Sequence, residues 1–574
     1  MKTKLFLLSI LVFPFLASCG ETFNYEKKIN DDDLLINKKS YAFTNLTDEY
    51  EINADNMDLY FIGDSDVAYV SASEFINDLD GLFDLEKLTI NKDDKSITFK
   101  YTYDKDNIYS MSVNWYENFI YLNSNDFSTV ICKETGNTDY SSHFEMESGN
   151  LINDKPVKFN LDKYHFDIFN YQDNCLVPLC IYNALICSTN YYNVMFNGDK
   201  IFGYYGEIGY DEPEYKEIYS SSLNNKKQSS YMREATYNSL CFMIDYFYGI
   251  KDDRNIKTAD SFISLINKNY ISSQYASDNV RGYLNLLYSQ MDDLHTRLDS
   301  GNYYSERGYT PTSISYSLLG KHSAKYYDSY YDLNDYRNYY LGEEVPPVRY
   351  IGNNAIITLN SFRTAPNSVI FDEHGNVKDD AWEYDSYYFM DHVFKDIVKH
   401  GNIDNVLIDI SLNGGGNIGA LIRVLGFLTN ENIPYVDYDT LATRAFSYEY
   451  KVDTNADDKY DDNDAYTQFN YALLTSTCSY SAANTFASTF EDLNIGKIIG
   501  EDTGGGACSI LPLTLADGTF FAISSNYCSS KMIETPFSYS FPSIEEGIGV
   551  NYSIDYENFY NDQYLANTLN NLFK

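Results

Sequence analysis

A chain of 574 residues with 44% hydrophobic content can bury several cores, and its size alone divides it into about three or four domains. A formal charge of −41 repels phosphate backbones and leaves no basic stripe, which argues against nucleic acid as a partner. The nine cysteines include no C-x-x-C pair, so neither a zinc ribbon nor a dithiol redox motif is expected, and no cofactor or metal is assigned.

At the N-terminus, Lys2 and Lys4 precede an apolar run from Leu5 to Phe15, followed by Leu16-Ala17-Ser18-Cys19-Gly20. This resembles a bacterial lipoprotein signal with its lipobox. The resemblance implies that residues 1–18 are removed and that Cys19 carries the lipid, tethering the chain to the extracytoplasmic face of a cell membrane. Residues 19–40 are polar and acidic, a flexible tether.

From 41 to 150, alternating β-rich runs such as KLTINKDDKSITFKYTY and SMSVNWYENFIYLNS, joined by Asp, Asn and Lys turns, predict hairpins in a small β-rich (α+β) accessory domain. Residues 151–344 are expected to be mostly helical, with apolar residues three and four apart in YMREATYNSLCFMIDYFYG and ADSFISLINKNY. Within this region the tyrosine-dense stretch 325–341 is expected to be a packed, partly exposed loop. Cys175, Cys180 and Cys187 are close enough in sequence to pair, but spacing does not give connectivity, and Cys478 and Cys508 are expected to be small buried hydrophobes.

From 345 to 574, strands and helices alternate, as in an α/β domain. Two junctions stand out. Val406 to Ile410 is an apolar β-rich run that stops at Asn413-Gly414-Gly415-Gly416, and Ile418 to Leu428 follows with helical spacing. Tyr471 to Thr475 is strand-like, and Ser481 opens the helical AANTFASTFEDL. A tetrahedral oxyanion needs backbone N–H donors close by, and glycines let the main chain approach without a Cβ. Gly414, Gly415 and Ala482 are the expected donors, and Ser481 the expected nucleophile. A tight strand-to-helix turn needing positive φ reads the same glycines equally well.

Three blocks in order, Asp409 to Gly416, the T-x-x-S-Ala-Ala block containing Ser481, and Gly500 to Gly506, resemble the tail-specific, or C-terminal-processing, protease superfamily. The resemblance implies a crotonase-like ββα spiral core, serine-type hydrolysis of peptide bonds through an acyl-enzyme, and a peptide or protein substrate. It also has gaps. Gly506 stands where many members carry a lysine base, so a Ser-Lys dyad is absent, as in the tricorn-like branch, where a histidine takes the proton with help from acidic and hydroxyl groups.

The segment Asp292-Asp293-Leu294-His295-Thr296 resembles a block upstream of that core, which makes His295 the expected base; imidazole is matched to accept a serine proton at neutral pH. Glu546 is the expected acidic partner, although Glu545 and Glu546 could equally cap a turn. Ser411 and Asn484 stand where many relatives carry arginine and glutamate, so a protease-fold lipoprotein that binds peptides with weakened chemistry is the alternative. Asp453 to Asp464 has calcium-loop spacing with Asp458 in the glycine place, and reads as either a calcium loop or a solvated acidic turn.

Overall fold

The computed structural model describes residues 35–134, 138, 140–305 and 314–574. The stretch that resembles a lipoprotein signal, and Cys19, lie outside them. The chain is mixed α/β, and the elements that matter here are arranged by four sheets of five or more strands.

Residues 88–160 form a five-stranded antiparallel sheet from Leu88–Lys92, Ser96–Thr102, Ile108–Asn114, Phe119–Leu122 and Val157–Asn160. Alternation drives it: Ile97, Phe99 and Tyr101 are buried while Lys100 and Thr102 are exposed. A seven-stranded sheet combines Ile36–Asn45, Asn56–Ile62 and Tyr69–Ser71 with four strands between Phe169 and Tyr205. Strands therefore continue well past residue 150, and helix predominates only from Pro213 onward. The sequence boundary missed this because the two halves of that sheet lie about a hundred residues apart.

The helices Ser230–Phe247, Ala259–Phe262, Leu265–Ile271 and Ala276–Leu284 follow, and a π-helical turn, Asn285–Met291, ends at Asp292 with φ +50°. The tyrosine-dense stretch is a helix, Lys321–Leu341, not a loop. Its Tyr, Asp and Asn residues lack an apolar stripe, and only Ser323, Ser329 and Leu333 are buried. What starts it is a cap supplied from outside: the Asp292 carboxylate accepts the N–H of His322 and of Ser323, each at 2.9 Å. A carboxylate there satisfies amides that have no partner inside the helix and meets its positive end.

The sheet that carries the two junctions runs Val348–Ile351, Asn354–Thr358, Asn405–Asp409, Asn470–Thr475, Gly496–Gly500, Tyr552–Ser553, parallel throughout except at its first pair. Val406, Leu407 and Ile408 are fully buried, each stabilising the fold by roughly 1.5–3 kcal/mol relative to exposure. Both-face burial explains why these strands read as continuous apolar runs. An antiparallel sheet, Arg297–Ser300, Phe520–Ser529, Ile433–Asp439, Arg444–Val452, Phe144–Ile152, with Cys508–Thr514 on Phe520–Ser529, supplies further walls of the site.

Candidate active site

Asn405–Asp409 and Asn470–Thr475 are adjacent parallel strands, so their C-terminal ends deliver both junctions to one edge of the sheet. Short bonds lock the two loops together. Tyr480 N–H donates to Asn413 O at 3.1 Å, and Ser479 Oγ donates to Ile410 O at 2.8 Å. The helices Ile418–Gly426 and Ala482–Asp492 then leave the crevice side by side.

Ser481 sits immediately before the second helix with φ +59° and ψ −125°, a conformation L-residues rarely adopt. A serine at this position normally turns its hydroxyl back to cap the helix. Ser481 makes no such bond, so its Oγ is left for the cavity. Gly415, φ +108°, packs directly behind it: a Cβ there would lie 2.7 Å from Ser481 Cβ and 2.9 Å from Ala482 N.

Ser481 and His295 line one cavity of about 520 Å³, with Gly414, Gly416, Ala482, Tyr326, Tyr435 and Asp437 among the other walls. His295 is buried, only 4% exposed. Asp293 Oδ1 accepts its backbone N–H at 3.0 Å, the Tyr480 ring meets the imidazole edge-on at 5.0 Å, and Nδ1 lies 3.3 Å from Ser524 Oγ. Among the described residues no hydrogen bond joins His295 to Ser481. Burial holds the imidazole pKa below its ordinary value, opposed by the Asp293 carboxylate, so the ring is neutral at neutral pH.

Of the three expected oxyanion donors, the structure leaves two open. Gly415 N–H is taken by Asn413 Oδ1 at 2.9 Å, which fixes the loop, whereas the amides of Gly414 and Ala482 have no acceptor among the described residues. Gly415 is therefore needed for close approach rather than as a donor.

Glu546 is exposed and does not line the cavity. The turn closed by Gly547 N–H to Ile544 O directs its neighbour Glu545 inward instead. Glu545 is 3% exposed, accepts Ala507 N–H at 2.7 Å, and is pushed up to about 8 by burial and by the Asp293 carboxylate. Asp293 also accepts Thr296 Oγ1 at 2.7 Å and Tyr480 Oη at 3.4 Å. The Asp293–Glu545 pair thus stands behind Tyr480 and His295, with Glu546 outside.

The departures from the resemblance have local explanations. Gly506 has φ +81°, and a Cβ there would sit 2.4 Å from the Tyr480 ring, so tyrosine fills the space a lysine stem would need. Ser411 donates to Asp409 Oδ1 at 2.6 Å and lies 2.9 Å from Tyr560 Oη. Asn484 donates to Ile544 O at 2.9 Å and accepts from Thr503 Oγ1 at 2.6 Å, holding the segment that carries Glu545.

Two further expectations meet the structure here. Cys508 is not a free thiol but is bridged to Cys528, its register partner across the hairpin, and Cys508 lines the cavity. Cys180, Cys187 and Cys478 are free thiols, and they and Cys175 are buried. In the acidic loop the carboxylates turn on their own backbone, Asp453 accepting the N–H groups of Asp457 and Asp458 and Asp464 those of Thr454 and Asp461.

Ser524 carries no signal in the sequence, and Glu545 reads there only as a turn cap beside Glu546. Ser524 lies in an ordinary buried strand and reaches His295 only through sheet pairing, so no local signal marks it.

No curated protein matches the chain. Among solved structures, similarity is found to a protein from Parabacteroides merdae provisionally named a peptidase (16% identity, 60% of this chain and 98% of that one, TM-score 0.39). It is also found to a lipoprotein from Streptococcus agalactiae (16%, 46% and 84%, TM-score 0.27) and to the photosystem II D1 C-terminal processing protease (19%, 37% and 50%, TM-score 0.25), of which this chain spans half the length. Residues 353–533, which hold Gly414, Gly415 and Ser481 but not His295, match the family model described as Peptidase family S41, so this stretch is similar to a family of peptidases.

Proposed function

We propose that the chain is a serine-type peptidase, with a crotonase-like ββα spiral core, in which Ser481 is the nucleophile and His295 the general base. The observation that carries this is Ser481 itself: a strained residue at a helix N-terminus whose hydroxyl caps nothing and opens into a cavity shared with a buried neutral imidazole. Ser524 Oγ at Nδ1 leaves Nε2 for the serine, and the ring acts as base in the neutral tautomer whose Nδ1–H donates to Ser524 Oγ.

Ser481 Oγ attacks the peptide carbonyl carbon as His295 Nε2 takes its proton, at a separation of about 3 Å in the reacting complex. The negative charge that develops on the carbonyl oxygen is met by the amides of Gly414 and Ala482. Collapse breaks the C–N bond, and the imidazolium returns the proton to the leaving amine. Water then adds to the ester by the same route, releasing the acid and Ser481. The acidic support we assign to Asp293, whose carboxylate fixes the His295 turn, with Glu545 coupled to it, rather than to Glu546.

The lipobox supports an extracytoplasmic, membrane-anchored peptidase, tethered through Cys19; loss of membrane fractionation in Cys19→Ser tests the tether. Labelling of the intact protein by a fluorophosphonate tests the chemistry: label is expected on Ser481, and labelling indifferent to Ser481→Ala would sink the proposal. A second reading, a protein that holds peptides without turning them over, is favoured by one observation, the missing Ser481–His295 hydrogen bond. Ser481-dependent hydrolysis of a peptide library excludes it.

A further inference from the structure

The wall of the cavity opposite the glycine loop comes from the antiparallel sheet. Tyr435 and Asp437, two apart on one strand, project to the same side, and the neighbouring strand supplies Tyr527 and Ser529. Asp437 is paired in register with Ser529. Ser529 N–H donates to Ala507 O at 2.8 Å, and Ala507 lies two residues beyond Gly505, whose carbonyl accepts Ser481 N–H at 2.9 Å. Only a short run of backbone therefore separates this carboxylate from the nucleophile.

Asp437 differs from the acids around it. Arg444, buried at the start of the adjacent strand and in register with Asp439, is ion-paired with Asp126 and lies 3.8 Å from Asp439. Asp439 also accepts the side-chain amides of Asn125 and Asn526 at 2.9 and 2.8 Å. Asp437 has neither a hydrogen bond to its carboxylate nor an ion pair among the described residues, and it faces the cavity. An unpaired carboxylate among tyrosines is costly unless something cationic meets it. The surroundings suit such a group, because the alkyl stem of a lysine or arginine packs along tyrosine rings while its charged end reaches an acid. The formal charge of −41 draws cationic peptides in general, and Asp437 gives that attraction a fixed point.

We propose that Asp437 makes this cavity a subsite for a cationic side chain, so that peptides carrying lysine or arginine close to the scissile bond are the preferred substrates. This rests on the reading of Ser481 as nucleophile. The preference carries a pH signature. Burial, with Arg444 opposing and Asp126 and Asp439 adding, pushes the Asp437 carboxyl up to about 7, and Tyr435, Tyr448, Tyr450 and Tyr527 are the other titratable groups around it. The preference is therefore strongest above pH 7 and fades as pH falls through it.

The test compares matched acetylated pentapeptides with lysine, norleucine or glutamate at the central position. Wild type is expected to show kcat/KM for lysine over norleucine of about 10²-fold, a ratio that falls at least tenfold in Asp437→Asn and is kept in Asp437→Glu. An equal wild-type rate on lysine and norleucine peptides, or an Asp437→Asn ratio that does not move, overturns the proposal. Calorimetric binding of the same peptides to Ser481→Ala protein decides the case independently of turnover. Tighter binding of the lysine peptide that is lost in Ser481→Ala/Asp437→Asn supports the subsite, and equal binding refutes it. Failure of the nucleophile reading shows separately, as absent fluorophosphonate labelling of wild type.

Discussion

Gly506 stands where the resemblance drawn from the sequence places a lysine, and no side chain fits there while Tyr480 remains. Two costs follow for Gly506→Ala. Forcing an L-residue to φ +81° costs about 1–2 kcal/mol. A Cβ that would sit 2.4–2.8 Å from three atoms of the Tyr480 ring overpacks a buried site, at about 1–3 kcal/mol. The sum is about 2–5 kcal/mol, and its two parts separate in a double-mutant cycle. In a Tyr480→Ala background the ring is gone, so the same glycine replacement costs only the backbone part, about 1–2 kcal/mol. The chain has two tryptophans, Trp115 in the accessory sheets and Trp382 beside the core, so a Trp115→Phe background lets Trp382 fluorescence report the core transition in urea. Equal cost of Gly506→Ala with and without Tyr480 would refute the steric argument. Gly506→Lys is likewise expected to destabilise without creating a Ser-Lys dyad.

Gly415→Ala places a methyl 2.7 Å from Ser481 Cβ at φ +108°, and displacing a nucleophile by this much lowers fluorophosphonate reactivity by about 10²-fold; an unaltered labelling rate contradicts the packing. Burial depresses the His295 pKa, and the neutral form is the active base. Labelling is therefore expected to rise with pH through a midpoint below 6.5, and a midpoint above 6.5 contradicts the assignment. Glu545 has a folded pKa of about 8 against 4.5 for an ordinary glutamate, so the folded state binds more protons between these values and stability falls as pH rises from 4.5 to 8. Glu545→Gln keeps an acceptor for Ala507 N–H and loses that dependence. It is expected to gain stability relative to wild type by at most about 5 kcal/mol at pH 8, and pH-independent differences in thermal unfolding would argue that Glu545 is ionised throughout.

The two junctions were legible because their signals are local. A fully buried parallel strand reads as a continuous apolar run, and glycines mark the approach of Gly415 to Ser481 and of Gly416 to Phe362, where a Cβ would lie 2.0 Å from a carbonyl oxygen. Other features depend on contacts that spacing does not encode. Ser524 reaches His295 across 229 residues, and Cys508 finds Cys528 through hairpin register, while Cys180 and Cys187, far closer in sequence, are free thiols. Which of Glu545 and Glu546 faces inward is decided by one turn. The helix Lys321–Leu341 was missed because its N-terminus is capped by Asp292, about thirty residues upstream, and its tyrosines carry no helical stripe.

The central claim is that Ser481 forms the covalent intermediate. Intact-mass spectrometry of protein quenched during turnover of an activated norleucine ester, followed by peptide mapping, measures it without reference to Asp437. The predicted result is a single acyl adduct on the peptide containing Ser481, absent in Ser481→Ala and formed more slowly in His295→Gln. An adduct retained in Ser481→Ala, or hydrolysis by wild type that proceeds with no adduct at Ser481, contradicts it.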